Sequence, residues 1–159
     1  MSATAASAEH ADWTVDLIAM LDRTGDQAAA RGLIEQLGSA KQVASIYRVR
    51  PLLEWARGSM SSGLAPVAVE EASSISQANP HPVEEVEGFA EIAATYEYAG
   101  SRDKAAWFVS RAVDAAVTTR NVHLRIEALE KITVAYIGAG LKFTQRIATL
   151  LQRLISAEW

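Results

Sequence analysis

The stretch Phe89-Ala-Glu-Ile-Ala-Ala-Thr-Tyr-Glu-Tyr-Ala-Gly-Ser-Arg-Asp-Lys-Ala105 decides how the rest of the chain is read. Phe89, Ile92, Ala93 and Tyr96 recur at i, i+3, i+4 and i+7, one face of a helix. Gly100 stops that helix, and alanines starting at Ala105 open a second one. The unit is therefore an apolar helix, a glycine turn and an alanine-rich helix. Leu17-Ile-Ala-Met-Leu-Asp-Arg-Thr-Gly-Asp-Gln-Ala-Ala-Ala30 has the same order, and Ile132-Thr-Val-Ala-Tyr-Ile-Gly-Ala-Gly140 repeats its first half. The dividing glycines are Gly25, Gly63, Gly100 and Gly140, spaced by 38, 37 and 40 residues. Near-equal spacing with a matching context is the mark of stacked repeats, in which each pair buries its apolar face on the next.

The individual helices follow from caps and breakers. Trp13, Leu17, Ile18 and Leu21 share one face of the first. Asp26 opens a second, which Gly38 ends. Ser39 caps a third, over Val43 to Tyr47. Pro51 makes Arg50 a break or kink, and a new helix runs from Leu52 to about Met60. A further helix spans Pro66 to about Ser76. Asn79-Pro-His-Pro82 forces a loop. Four helices remain: Val83–Tyr98, Arg102–Val117, Val122–Ile137 and Phe143–Ala157, with Asn121 as the N-cap of the third.

Composition agrees. The 159 residues are half hydrophobic and include 30 alanines against 9 glycines and 4 prolines. There is no cysteine, which excludes disulfides, thiolate zinc sites and thiol nucleophiles. Net charge is −4, so nothing draws the chain as a whole to nucleic acid or an anionic membrane. No apolar run approaches the ~20 residues of a membrane span. Residues 1–10 lack the basic and apolar regions of a secretory signal and read as a flexible tail. Cytoplasmic location is expected.

The unit at Phe89–Val113 resembles the tetratricopeptide-repeat superfamily. Phe89, Ile92-Ala93, Tyr96, Gly100, Ala105 and Ala112 stand at the family's bulky, large-small, aromatic, glycine and alanine positions. The first unit matches at Leu17, Leu21, Gly25-Asp26 and Ala30. The second is poorer, with Trp55-Ala56 before Gly63. The fourth matches at Leu129, Ile132 and Tyr136 and departs at Gln145. The units run longer than the family's repeat of about 34 residues, which also resembles HEAT-like arrays. The resemblance implies an all-α, right-handed α-solenoid of about four helix pairs in a single domain over 11–159, with units at about 11–38, 39–79, 83–118 and 121–158.

Catalytic motifs are absent. His10, His81 and His123 have no metal-ligand spacing to a partner and read as surface residues. Gly-x-Ser-x-Gly and the phosphate-binding glycine loops do not occur. No enzymatic activity, metal or cofactor is expected.

Charge is patterned. Residues 81–100 carry −5, with Glu84, Glu85, Glu87, Glu91 and Glu97 and no Lys or Arg; residues 41–60 carry +3 and 101–159 carry +4. The family's first helices line the concave surface. That places Glu87, Ala90, Ala94, Glu97 and Tyr98 in a groove. The next unit adds Glu127, Glu130 and Tyr136, although Tyr136, like Tyr96, also matches a core position of the family and reads equally as packing. The resemblance thus implies an adaptor, chaperone or sensor module that binds a peptide or partner helix in a charge-patterned groove. Nucleic acid is not expected, because the basic residues are not interleaved with aromatics and the acidic strip would repel phosphates. The alternative is a small-molecule-binding or enzymatic helical domain with a pocket between helix pairs. Trp55 and Trp107 read as core. Trp13 reads as a cover for one end of the array, and Trp159 as a cap or docking point. The apolar stripe Ile147, Leu150, Leu151, Leu154 and Ile155 predicts a homodimer through the last helix.

Overall fold

Three of the four dividing glycines end their helices in the same way. Gly25, Gly100 and Gly140 have φ of +87°, +81° and +70°, a left-handed backbone that a Cβ would strain. Beyond each, an amide reaches back five residues: Asp26 to Leu21, Ser101 to Tyr96 and Leu141 to Tyr136, at 2.8–2.9 Å. A second bond joins Gly25 to Asp22, Gly100 to Glu97 and Gly140 to Ile137. This is the Schellman closure, which satisfies carbonyls that a helix end would leave bare. Gly63 is not in the left-handed region, and a turn linked by Ser59, Ser62 and Ala65 replaces the motif there.

The computed structural model describes the backbone of residues 3–78 and 82–156 and the side chains of residues 8–78 and 84–156. Among them the chain is all-α, with α1 (Ala3–Thr24), α2 (Gln27–Ser39), α3 (Ser45–Gly58), α4 (Ala65–Gln77), α5 (Pro82–Tyr98), α6 (Arg102–Thr118), α7 (Val122–Gly138) and α8 (Gln145–Ser156). The chain divides into two compact units, Met1–Ala78 and Asn79–Trp159.

In the first unit α1 packs on α2 and α3, and α4 packs on α2 and α3. Ile18, Ile34, Leu37, Val49, Leu52 and Leu53 are buried there, with Ala30, Ala56, Ala68 and Ala72 where helices approach closely. In the second unit α5 packs on α6 and α7, and α6 and α7 both pack on α8. Its buried side chains include Phe89, Ile92, Val109, Val113, Ile132 and Ile147. In both units a first helix meets the next first helix, and a second helix meets the next second helix.

Several sequence expectations are corrected. α1 begins at Ala3, inside the segment read as a tail. α2 continues through Gly38 to Ser39, so Ser39 ends that helix instead of capping the next. Arg48 makes this extension favourable: its Nη1 donates to the carbonyls of Leu37 (3.2 Å) and Gly38 (2.7 Å). A cation at a helix C-terminus opposes the negative end of the dipole. Pro51 does not break the chain. It lies inside α3, whose neighbours Val49, Leu52 and Leu53 are all buried. Their burial holds the helix through a residue that cannot donate to the ladder. Trp107 is 49% exposed, not core. Asn121 does cap α7, accepting from the amides of His123 and Leu124. His81 and Trp159 lie outside the described residues.

Candidate functional site

The acidic helix α5 begins with Glu84 and Glu85 in its first turn, where the helix dipole favours carboxylates. Further along, the fold supplies partners. α7 crosses α5 and brings Lys131 Nζ to 3.4 Å from Glu87 Oε2. Only 14% of the Glu87 side chain is accessible. Glu97 turns inward: its side chain is 7% exposed, with Oε1 3.9 Å from Arg102 Nε. Its Oε2 is buried with no hydrogen-bond partner among the described residues, as is the hydroxyl of Tyr136. Tyr136 is fully buried and packs its ring on Phe143, centroids 5.3 Å apart. Ala94 and Ala90 have no exposed surface.

The residues expected to line a groove therefore separate. Ala94 and Tyr136 are inaccessible to any docking chain. Glu87 and Glu97 are mostly covered and face cations of their own chain. Tyr98 is half exposed, Glu127 is partly exposed, and Glu130 is exposed. Packing decides this, because α5 needs two sides to meet both α6 and α7.

α7 brings forward residues that the sequence reading passed over. Its apolar residues are spread around the helix and its charged ones, Glu127, Glu130 and Lys131 among them, are not gathered on a separate face. Here Leu124, Ala128, Ile132, Ala135 and Tyr136 face inward, while Val122 (41%), Ile126 (56%), Val134 (58%) and Ile137 (68%) remain exposed. At 3.6 residues per turn, Val122, Ile126 and Ile137 fall within about 60° of one another, and Val134 lies within about 120°. Glu130 sits between Ile126 and Val134 on this face. The available signal was the missing polar side of α7.

Burial pushes the Tyr136 phenol above its ordinary range near 10, and the Glu97 carboxylate pushes it further the same way. The folded state thus holds this proton more tightly than the unfolded chain does. That stability is complete below about pH 10 and declines as the pH rises beyond it, by about 1.4 kcal/mol per pH unit. Tyr136→Phe is expected to flatten the decline measured by urea unfolding between about pH 9 and 11. At pH 7 it is expected to cost little, since the lost hydroxyl has no partner to leave unsatisfied. An unchanged alkaline slope would refute this assignment.

Two clefts lie in the first unit. One, of about 410 Å³, is lined by Thr14, Leu17, Leu33, Gln36, Ser39 and Gln42 among others. The other, of about 310 Å³, lies between α1 and α3 and is lined by Asp12, Asp16, Glu54, Pro51 and Trp55 among others. Both open to solvent. Among the described residues no group of His, Cys, Asp or Glu side chains is placed to hold a metal ion. No helix among them is long and apolar enough to cross a membrane. His10 and His123 are exposed.

The chain matches no family model, no curated protein and no solved structure.

Proposed function

We propose that this chain is a cytoplasmic protein-interaction module of tetratricopeptide-like helix pairs, docking a partner helix on the exposed face of α7. The observation that carries the reading is the strip Val122, Ile126, Val134 and Ile137, four aliphatic side chains each more than 40% exposed on one helix. Exposed apolar residues scattered singly need no explanation, but four on one side of one helix, two on either side of Glu130, mark an interaction surface. Glu130 within it, and Glu127 at its edge, favour a partner helix whose apolar face is flanked by Lys or Arg. The repeated Schellman closures and the like-with-like helix contacts inside each unit support the repeat reading.

The test is co-purification from lysate of the native source, comparing wild type with Ile126→Ser/Ile137→Ser and with Glu130→Lys. Retention of a partner is expected to fall at least about tenfold in the double variant, which corresponds to 1.4 kcal/mol or more. Equal retention by all three proteins would remove α7 from the interface.

Self-association through α8 has narrower support than the sequence implied. Ile147, Leu151 and Leu154 are buried, and only Ile155 stands well exposed. Sedimentation that stays monomeric at every concentration would end that part of the proposal. A second reading, small-molecule binding, rests on the larger cleft of the first unit, whose volume lies in the range of ligand pockets.

A further inference from the structure

Tyr96 of α5 and Lys104, Trp107, Phe108 and Arg111 of α6 form a ladder of ring and cation contacts whose two cations and Trp107 reach the surface. Lys104 Nζ lies over the Tyr96 ring, 5.2 Å from its centroid. Tyr96 stacks on Phe108 at 5.6 Å and 15°. Phe108 meets Trp107 edge-on at 4.8 Å and 86°. Arg111 covers Trp107 at 5.6 Å. Phe108 itself is held from below by Phe89 at 5.7 Å. The contacts run Lys104–Tyr96–Phe108–Trp107–Arg111, with an exposed cation at each end and Phe108 buried in the middle. Lys104 and Arg111 are exposed, and Trp107 is 49% exposed.

The charge of this ladder is not cancelled locally. The two acids of α6 are engaged by α8: Asp103 accepts from Arg146 at 2.8 Å, and Asp114 from Arg153 at 2.9 Å. Among the described residues neither Lys104 nor Arg111 has a carboxylate in ion-pair range. Each rests on a ring instead, where the quadrupole holds the cation in place and leaves its full charge for a further partner. Arg102, with 80% of its side chain exposed, stands near the Lys104 end.

We propose that this ladder is a docking surface for an acidic peptide segment, distinct from the α7 strip. Charge complementarity selects the occupant. Lys104 and Arg111 are seven residues apart on one helix, roughly 10 Å along its axis. Carboxylates three residues apart in an extended left-handed peptide span nearly the same distance. Trp107 between them supplies flat apolar area of the kind that anchors protein interfaces. A single nucleic-acid strand fits less well. It needs a run of open ring faces for base stacking, whereas Tyr96 is engaged by Phe108 and Lys104, Phe108 is buried, and Arg111 takes one face of Trp107, which leaves a single ring face here.

The test is fluorescence anisotropy with a fluorescein-labelled peptide carrying glutamate at every third position, its lysine counterpart, and a labelled oligothymidylate of similar length. The acidic peptide is expected to bind, and raised salt is expected to weaken it. Lys104→Glu/Arg111→Glu is expected to reduce affinity at least about tenfold, and Trp107→Ala to weaken binding while leaving its salt dependence. If the charge-reversed protein does not fold, as judged by circular dichroism, Lys104→Gln/Arg111→Gln replaces it with the same expected direction. Ile126→Ser/Ile137→Ser should bind the acidic peptide like wild type, which separates this surface from α7. Absence of acidic-peptide binding, equal binding by the charge-reversed or neutralised variant, or preference for the lysine peptide would overturn the proposal. Preference for the oligothymidylate, lost in the same variants, would reassign the ladder to nucleic acid.

Discussion

Arg48→Met is expected to lower the unfolding free energy by about 3 kcal/mol. Arg48 is 8% exposed, and its guanidinium donates to the Leu37 and Gly38 carbonyls in the last turn of α2. Removing it leaves the Gly38 carbonyl without its donor and the Leu37 carbonyl with only the Ala40 amide at 3.3 Å, at about 1–3 kcal/mol for a buried group left unsatisfied. Glu71 is the nearby counter-charge. Gly38 lies directly against the Glu71 side chain, so closely that a Cβ at that position would overlap the carboxylate. Burial lowers the Arg48 pKa and Glu71 opposes the change, so the cation is held at a desolvation cost. Methionine recovers that cost and part of the packing, which limits the net loss. Arg48→Lys keeps the charge but not the planar fork and is expected to lose about half as much.

Glu71→Gln gives the opposite sign. Burial raises the Glu71 carboxyl, Glu35 raises it further, and Arg48 partly offsets both. A raised folded-state pKa means stability that is present at low pH and lost as the carboxyl ionises. A neutral amide at pH 7 is therefore expected to stabilise the unit modestly. Urea unfolding of the variants beside wild type checks all of these expectations. Equal midpoints for Arg48→Met and wild type would show that α2 closes without the guanidinium.

Phe89→Ala is expected to destabilise the second unit by about 3–5 kcal/mol. Phe89 is fully buried and packs on Phe108. Truncation removes a ring from the place where α5 and α6 meet, and backbones fixed by flanking alanines cannot collapse to fill it. Against the usual 5–15 kcal/mol of a domain this is a large fraction. The loss is expected to reach the surface, because Phe108 carries both Tyr96 and Trp107. Hydrogen exchange should show faster opening in α5 and α6, with a shift in Trp107 emission. Phe89→Leu is expected to cost about 1–2 kcal/mol, since most of the volume is kept. Exchange rates in α5 and α6 equal to wild type after Phe89→Ala would show that the ring is not the keystone of this pair.

Some features were legible because they are local. The closures at Gly25, Gly100 and Gly140 follow from glycine's freedom at positive φ, and the Asn121 cap from an oxygen two residues before its donor. The fourth glycine, Gly63, had the spacing but not the backbone. Pro51 shows the limit of local rules: a residue that reads as a breaker lies within α3, where its neighbours are buried.

The candidate sites were less legible, because accessibility is not a local property. The acids of α5 were plain in the sequence, but Lys131 meets Glu87 from 44 residues away and covers it. Glu97 and Tyr136 were assigned to a groove by their register, and contact with a neighbouring helix took them inside. Helix periodicity, turn chemistry and the absence of thiols are determined by the chain itself, since each depends on residues within a few positions of one another. Which apolar residues of α7 stay exposed, and that Tyr96 of α5 comes to lie between Lys104 and Phe108 of α6, was decided by tertiary packing. The exposed strip of α7 depends on how α5, α6 and α8 meet it, and Tyr96 joins Lys104, Trp107, Phe108 and Arg111 only because α5 packs on α6; the spacing of the four α6 residues is itself local.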